Sequence, residues 1–126
     1  MTTASIASSK YRLTLNNGRH SFFADEPQSA GGTDTAPAPD ELLEASLASC
    51  TAITLRMYAD RKQWLVETID VSVHLSRENG TSSFVRNIGV QGELTEEQKQ
   101  RLLEIAKACP VSKTLLGQST INSSIQ

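Results

Sequence analysis

Two cysteines, Cys50 and Cys109, are the residues whose type allows covalent and redox chemistry. A cysteine reacts as its thiolate, so its environment decides whether it is a nucleophile or a small apolar side chain. Cys50 falls in the middle of a long apolar stretch, where the helix dipole gives little help. Activating it requires a cation brought close by the fold. Cys109 stands directly before Pro110. Proline ends one helix and suits the first position of the next, which puts Cys109 at a helix N-terminus, where thiol pKa values fall. Lys113, four residues on, adds positive charge. If the two helices pack through their cysteine-bearing stripes and the Cα atoms come within about 7 Å, a disulfide can form. The same residues also read as two buried, inert thiols. Two cysteines are too few for a secreted disulfide scaffold, and two histidines (His20 and His74) do not complete a structural zinc set.

The elements that must position these thiols follow from pattern. Residues 1–9 are small and polar and read as a disordered terminus. Tyr11, Leu13 and Leu15 alternate, Asn16-Asn17-Gly18 signals a turn, and His20 to Ala24 resumes an extended pattern, which makes a hairpin. Residues 25–39 are a long Gly/Pro loop, DEPQSAGGTDTAPAP, either a functional segment or a mobile linker. A helix over Asp40 to Arg61 follows, apolar nearly all round until Arg56, with Leu43, Leu47, Cys50, Thr54 and Met57 on one stripe. Two strands meet at Asn79-Gly80. The second carries Phe84, Arg86, Ile88 and Val90 on one side. Thr95 to Gln98 is a capping box opening a helix that ends near Cys109, a short helix covers Val111 to Leu116, and Ser119 to Ile125 reads as a last strand. The order is that of an α+β fold with antiparallel sheets and a long central helix carrying Cys50, in a single domain over residues 1–126.

Composition narrows the function. The chain has 126 residues, a net charge of −2, and 12 scattered basic residues, which argues against tracking nucleic-acid phosphates. No apolar run approaches the ~20 residues of a membrane span. The first residues lack the apolar core of a signal peptide, so a cytoplasmic protein is expected. A hydrophobic content of 38% is low for a compact monomer and suggests a core shared with a second copy.

Two stretches resemble the signatures of the OsmC/Ohr family, the osmotically inducible protein C and organic hydroperoxide resistance proteins. The first is Pro37-Ala38-Pro39-Asp40-Glu41-Leu42-Leu43 with Ala48-Ser49-Cys50-Thr51-Ala52. The second is Ala108-Cys109-Pro110-Val111-Ser112-Lys113-Thr114-Leu115. Gly31-Gly32, Tyr58-Ala59-x-Arg61-Lys62 and Gly92-x-Leu94 also fit, so the match runs from about Leu13 to Ile125. Val111, where the Ohr branch is more aromatic, points to the OsmC-like branch.

That resemblance implies an intertwined α+β homodimer with active sites at the interface and thiol-dependent reduction of organic, and also hydrogen, peroxides in oxidative-stress defence. Cys50 would attack the peroxide and Cys109 would resolve the sulfenic acid as a disulfide. No bound cofactor is implied; an external dithiol, with a lipoylated protein as first candidate, restores the thiols. The resemblance also implies an Arg that holds the thiolate and a Glu that orients it. Arg19 is the positional match for the Arg, with Arg12 in reserve. Asp40 stands where the family has the Glu, ten residues before Cys50, with Glu41 beside it. A non-catalytic dimer binding a small apolar ligand and a thiol redox switch are the rival readings.

Overall fold

The computed structural model describes residues 1–126. The chain divides into two compact units, Met1–Glu44 and Ala45–Gln126.

In the first unit, β1 (Thr3–Ser5), β2 (Leu13–Asn16) and β3 (Ser21–Ala24) form an antiparallel sheet in that order. Leu13 and Leu15 take the half-buried positions of β2, as their alternation predicts. The β2–β3 turn is held by the Asn17 side chain, whose Oδ1 accepts from the N–H groups of Arg19 (3.0 Å) and His20 (2.8 Å). The terminus departs from expectation. Residues 3–5 are paired with β2, Ala4 opposite Leu15, and Thr3 Oγ1 donates to Asn16 O at 3.3 Å. An open strand edge offers unpaired backbone groups, and small polar residues can pair there without needing an apolar face.

Residues 25–38 also prove to be more than a linker. Asp25 is buried, and its carboxylate accepts from Glu26 N (2.8 Å), Thr33 Oγ1 (2.5 Å), Thr35 N (3.1 Å) and Thr35 Oγ1 (3.0 Å). The Thr33 bond, with the others, outweighs burial and holds this carboxyl well below the usual range. A 3₁₀ turn over Gln28–Ala30 follows, and a Cβ at Gly32 would lie 2.0 Å from Glu26 O, so only glycine closes the loop.

Helix α1 (Pro39–Arg61) begins with Asp40 and Glu41 in its first turn, where acidic groups suit the positive end. Its remainder belongs to the second unit, with β4 (Leu65–Glu78), β5 (Thr81–Glu93), α2 (Glu96–Lys107) and α3 (Pro110–Leu116). Strands β4 and β5 pair antiparallel across Asn79-Gly80, whose φ of 51° and 76° are those of a tight hairpin turn. At the far end of the hairpin, Gly92 takes φ 150°, and a Cβ there would meet Leu65 O at 2.2 Å, so the position requires glycine. The capping box is present: Thr95 Oγ1 accepts from Gln98 N (3.2 Å) and Gln98 Oε1 from Thr95 N (2.9 Å).

The core of this unit joins Leu55 and Tyr58 of α1 to Leu102 and Ala106 of α2, with Ile69, Ile88 and Val90 of the hairpin and Trp64 packed against them. The buried face of α1 carries Leu47, Thr51, Leu55, Tyr58 and Ala59. The stripe read from sequence is therefore turned: Leu43 and Met57 are exposed, and Thr51, rather than Thr54, faces the core. A helix apolar all round has no periodicity to select its inner face. The last strand is absent. Residues 118–126 have no regular secondary structure, and Ile121 and Ile125 are exposed. Two isoleucines separated by Asn122-Ser123-Ser124 give too little apolar face to anchor a strand. No helix is long and apolar enough to cross a membrane.

Candidate active site

Cys50 and Cys109 come together in the second unit. Cys50 sits half-buried in mid-α1. Cys109 is fully buried at the N-cap of α3, with Pro110 at the first helical position, as the Cys-Pro pattern predicts. Both are free thiols, and the Cys50 side chain is close enough to the Cys109 sulfur to help lower its pKa.

The surroundings of Cys109 are built to receive a negative charge. Ser112 N donates to its Sγ at 3.4 Å, and Ser112 Oγ lies 3.0 Å from the same sulfur. Arg86 on β5 aims Nη1 into this cluster, 2.9 Å from Ser112 Oγ, 2.9 Å from Thr51 Oγ1 and 3.9 Å from Cys109 Sγ. The donor directions follow. A guanidinium only donates, so Ser112 Oγ accepts from Arg86 and its own proton is free for the sulfur. Thr51, fully buried 3.9 Å from Sγ, directs its proton to Leu47 O at 2.7 Å and offers its lone pairs to Arg86. Burial pushes the Cys109 thiol up. The Ser112 hydroxyl and N–H and the Cys50 side chain pull it down further, and the net effect is a lowered pKa.

The remaining sequence candidates lie in the first unit. Arg19 is exposed in the β2–β3 turn. Arg12 stacks over the Phe23 ring at 4.2 Å and donates from Nη1 to Thr35 O (2.9 Å) and Oγ1 (2.7 Å), so it braces the loop. Asp40 and Glu41 are in the first turn of α1, where Glu41 Oε1 accepts from Ala38 N at 3.2 Å. Arg86 and Ser112 are the residues that sequence reasoning missed. Arg86 had a signal: it is the one charged residue on the side of β5 that carries Phe84, Ile88 and Val90. Ser112 stands three residues after an N-cap, where its N–H must meet the capping group.

On α1, Ile53 and Met57 lie three and seven residues beyond Cys50, hence on its face. They are 55% and 66% exposed. With Ala52, Arg56 and Ile69 they line an open hollow of about 410 Å³. No group of three or more His, Cys, Asp or Glu is placed to hold a metal ion.

A family model described as OsmC-like protein matches residues 32–124, which span both cysteines. The chain belongs to the OsmC-like family. No curated protein sequence matches it. Among solved structures, the fold is similar to the OsmC-like protein of Mycoplasma pneumoniae, with TM-score 0.78, 20% identity, and 93% of this chain and 86% of that one covered. An OsmC-like protein of unknown function from Vibrio cholerae gives TM-score 0.73 at 15% identity, covering 92% of each chain. The organic hydroperoxide resistance protein OhrB of Bacillus subtilis gives TM-score 0.62 at 25% identity, covering 93% of this chain and 90% of that one. The α+β architecture with antiparallel sheets is thus that of OsmC-like proteins.

Proposed function

We propose that this OsmC-like chain is a thiol-dependent peroxidase that reduces organic hydroperoxides, and hydrogen peroxide with them, in the cytoplasm. The observation that carries the reading is the cysteine pair itself: a half-buried thiol against a fully buried one whose sulfur accepts from Ser112 and faces Arg86. In this reading the reactive form of the pair carries one proton and one negative charge, and the donors around Cys109, Ser112 and Arg86, receive that charge.

The chemistry then closes atom by atom. The Cys109 thiolate takes the proton from Cys50. The Cys50 thiolate attacks the terminal peroxide oxygen, the O–O bond breaks, and the alkoxide leaves with the proton now on Cys109. Cys50 is a sulfenic acid and Cys109 a thiolate again. Cys109 attacks the Cys50 sulfur, the S–S bond forms, and hydroxide leaves. An external dithiol, for which a lipoylated protein is the first candidate, restores both thiols. The exposed apolar residues Ile53 and Met57 beside Cys50 favour an organic peroxide substituent and a second copy of the chain as partner. The roles of Arg19, Asp40 and Glu41 rest on the family resemblance alone.

The test is single-turnover oxidation of the reduced protein by an organic hydroperoxide, with products mapped by mass spectrometry. The expected result is a Cys50–Cys109 disulfide in the wild type and, formed more slowly because the base is gone with the resolving thiol, a trapped sulfenic acid on Cys50 in Cys109→Ser. Full peroxide consumption by Cys50→Ser, or thiols no faster than free cysteine, overturns the reading.

A further inference from the structure

The half of the cycle that returns the protein to its reduced form has a direction written into the site. We infer that an external thiol attacks the Cys50 sulfur of the oxidised pair and that Cys109 leaves, its charge received by Ser112 and Arg86. The inference deepens the peroxidase reading and rests on it for its physiological meaning.

Two independent observations select the same sulfur. The first is access. Cys109 Sγ is enclosed by Thr51, Ser112 and Arg86 and its residue is 0% exposed, whereas Cys50 is half-buried. An attacking thiolate must approach opposite the departing sulfur, which at Cys50 means from the outer side of the pair. The second is the fate of the electron pair. Thiol–disulfide exchange runs faster through the sulfur that leaves as the more stable thiolate. Ser112 N–H and O–H already point at Cys109, and the Arg86 guanidinium stands 3.9 Å away with its Nη1 fixed by two hydroxyls at 2.9 Å. These donors need little reorganisation to receive the charge.

The step balances. The reductant thiolate bonds to Cys50 Sγ, the Cys50–Cys109 bond breaks, and its electron pair stays on Cys109. The second thiol of the same reductant then attacks the reductant's own sulfur in the mixed disulfide. A cyclic disulfide departs, and the proton of that second thiol ends on Cys50. The pair returns to one thiol and one thiolate, the state from which peroxide attack begins. Arg86 acts here as a positioning residue: it fixes Ser112 and Thr51 and faces the departing charge.

The experiment separates this inference from the peroxidase reading. The Cys50–Cys109 disulfide is made with diamide, so no peroxide chemistry is required. The oxidised protein is then mixed with 2-mercaptoethanol, a monothiol that cannot resolve its own mixed disulfide. The reaction is quenched with acid and the adduct mapped by mass spectrometry. The expected adduct is on Cys50 alone. Loss of the charge-assisted donor in Arg86→Met slows adduct formation about tenfold, Arg86→Lys restores part of the rate, and Ser112→Ala, which removes the hydroxyl but keeps the Arg86 charge and the residue-112 N–H, slows it in the same sense. The slowing appears as a change in leaving-group behaviour at constant attacking thiolate, which a merely structural role would not give. An adduct on Cys109, an equal split, unchanged rates in Arg86→Met and Ser112→Ala, or no intramolecular disulfide with diamide overturns the inference. Failure of the peroxide assay alone would overturn only the peroxidase reading.

Discussion

A double-mutant cycle on Thr51 and Arg86 measures whether the guanidinium is held as described. Arg86 Nη1 donates to Thr51 Oγ1 at 2.9 Å, and Thr51 is wholly buried. A hydrogen bond to a charged group contributes about 1.5–3 kcal/mol, and most of the loss comes from leaving one partner unsatisfied. Thr51→Val keeps the volume, so no cavity is created. It removes the acceptor and also the bond to Leu47 O, a helix back-bond of little net worth. The single variant is expected to lose about 1.5–3 kcal/mol. Arg86→Met takes the charge away; Thr51 still bonds Leu47 and Ser112 still faces Cys109, so its cost is of the same order or smaller. With Arg86 already gone, Thr51→Val removes an acceptor that nothing needs. The double variant is therefore expected to be less damaged than the sum of the singles by about 1.5–3 kcal/mol. Urea denaturation of the fully reduced proteins at one fixed protein concentration reads this directly, because slopes of about 1–3 kcal/mol per molar turn such a coupling into a midpoint difference on the order of 1 M. Single-variant losses that add to within about 0.5 kcal/mol would mean that the contact does not hold Arg86, and the account of Cys109 would lose its main support.

Three further outcomes are expected. Asp25→Asn lowers the thermal midpoint near neutral pH, and the deficit shrinks as pH falls below 3.8, because a carboxyl lowered in the folded protein stabilises it above the ordinary value and loses that contribution as pH drops through the lowered one; thermal scans across that range check it. Cys109 has the same sign: its lowered pKa makes the reduced wild type gain stability as pH rises toward the ordinary thiol value of 9.0, and Cys109→Ser removes that gain, as denaturation midpoints against pH will show. Gly92→Ala destabilises by about 2 kcal/mol or more, because φ 150° and a contact of 2.2 Å with Leu65 O leave no room for a methyl group; circular dichroism melting is the measurement.

Much of the fold was legible because local chemistry leaves marks that tertiary context rarely overrides. Asn79-Gly80 supplies the two positive φ angles of its hairpin, Thr95 and Gln98 cap each other, and Cys109-Pro110 starts α3 where a proline can. What was not legible depended on partners. Thr3–Ser5 has no strand pattern of its own and is paired only because β2 offers an edge. The inner face of α1 is chosen by α2 and the hairpin, not by a sequence whose apolar residues surround the helix. The site divides in the same way. Both cysteines could be named from their surroundings in sequence. The cation that faces Cys109 could not, because Arg86 lies on a different element, far along the chain from Cys50, and reaches the thiol only through the packing of β5 against the helices.

The arrangement around Cys109 also bears on the inert reading of the two thiols. A cysteine that merely fills space needs no donors, and burial alone raises its pKa. Here the opposite holds. An N–H, a hydroxyl and a neighbouring thiol converge on a fully buried sulfur, and a half-buried guanidinium is held at 3.9 Å by two hydroxyls that satisfy its Nη1 without neutralising its charge. Taking a guanidinium out of water costs free energy unless a negative charge meets it. Thr51 and Ser112 are neutral, so the cost is offset when Cys109 is a thiolate and is not offset when it is a thiol. The ionised form of Cys109 thus stabilises the placement of Arg86, and Arg86 stabilises the ionised form. Cys50, the more accessible of the two, then has beside it a base that can take its proton and later attack its oxidised sulfur. In the proposed cycle the same thiolate serves as base, as resolving nucleophile and as leaving group, so one buried set of donors suffices for every step.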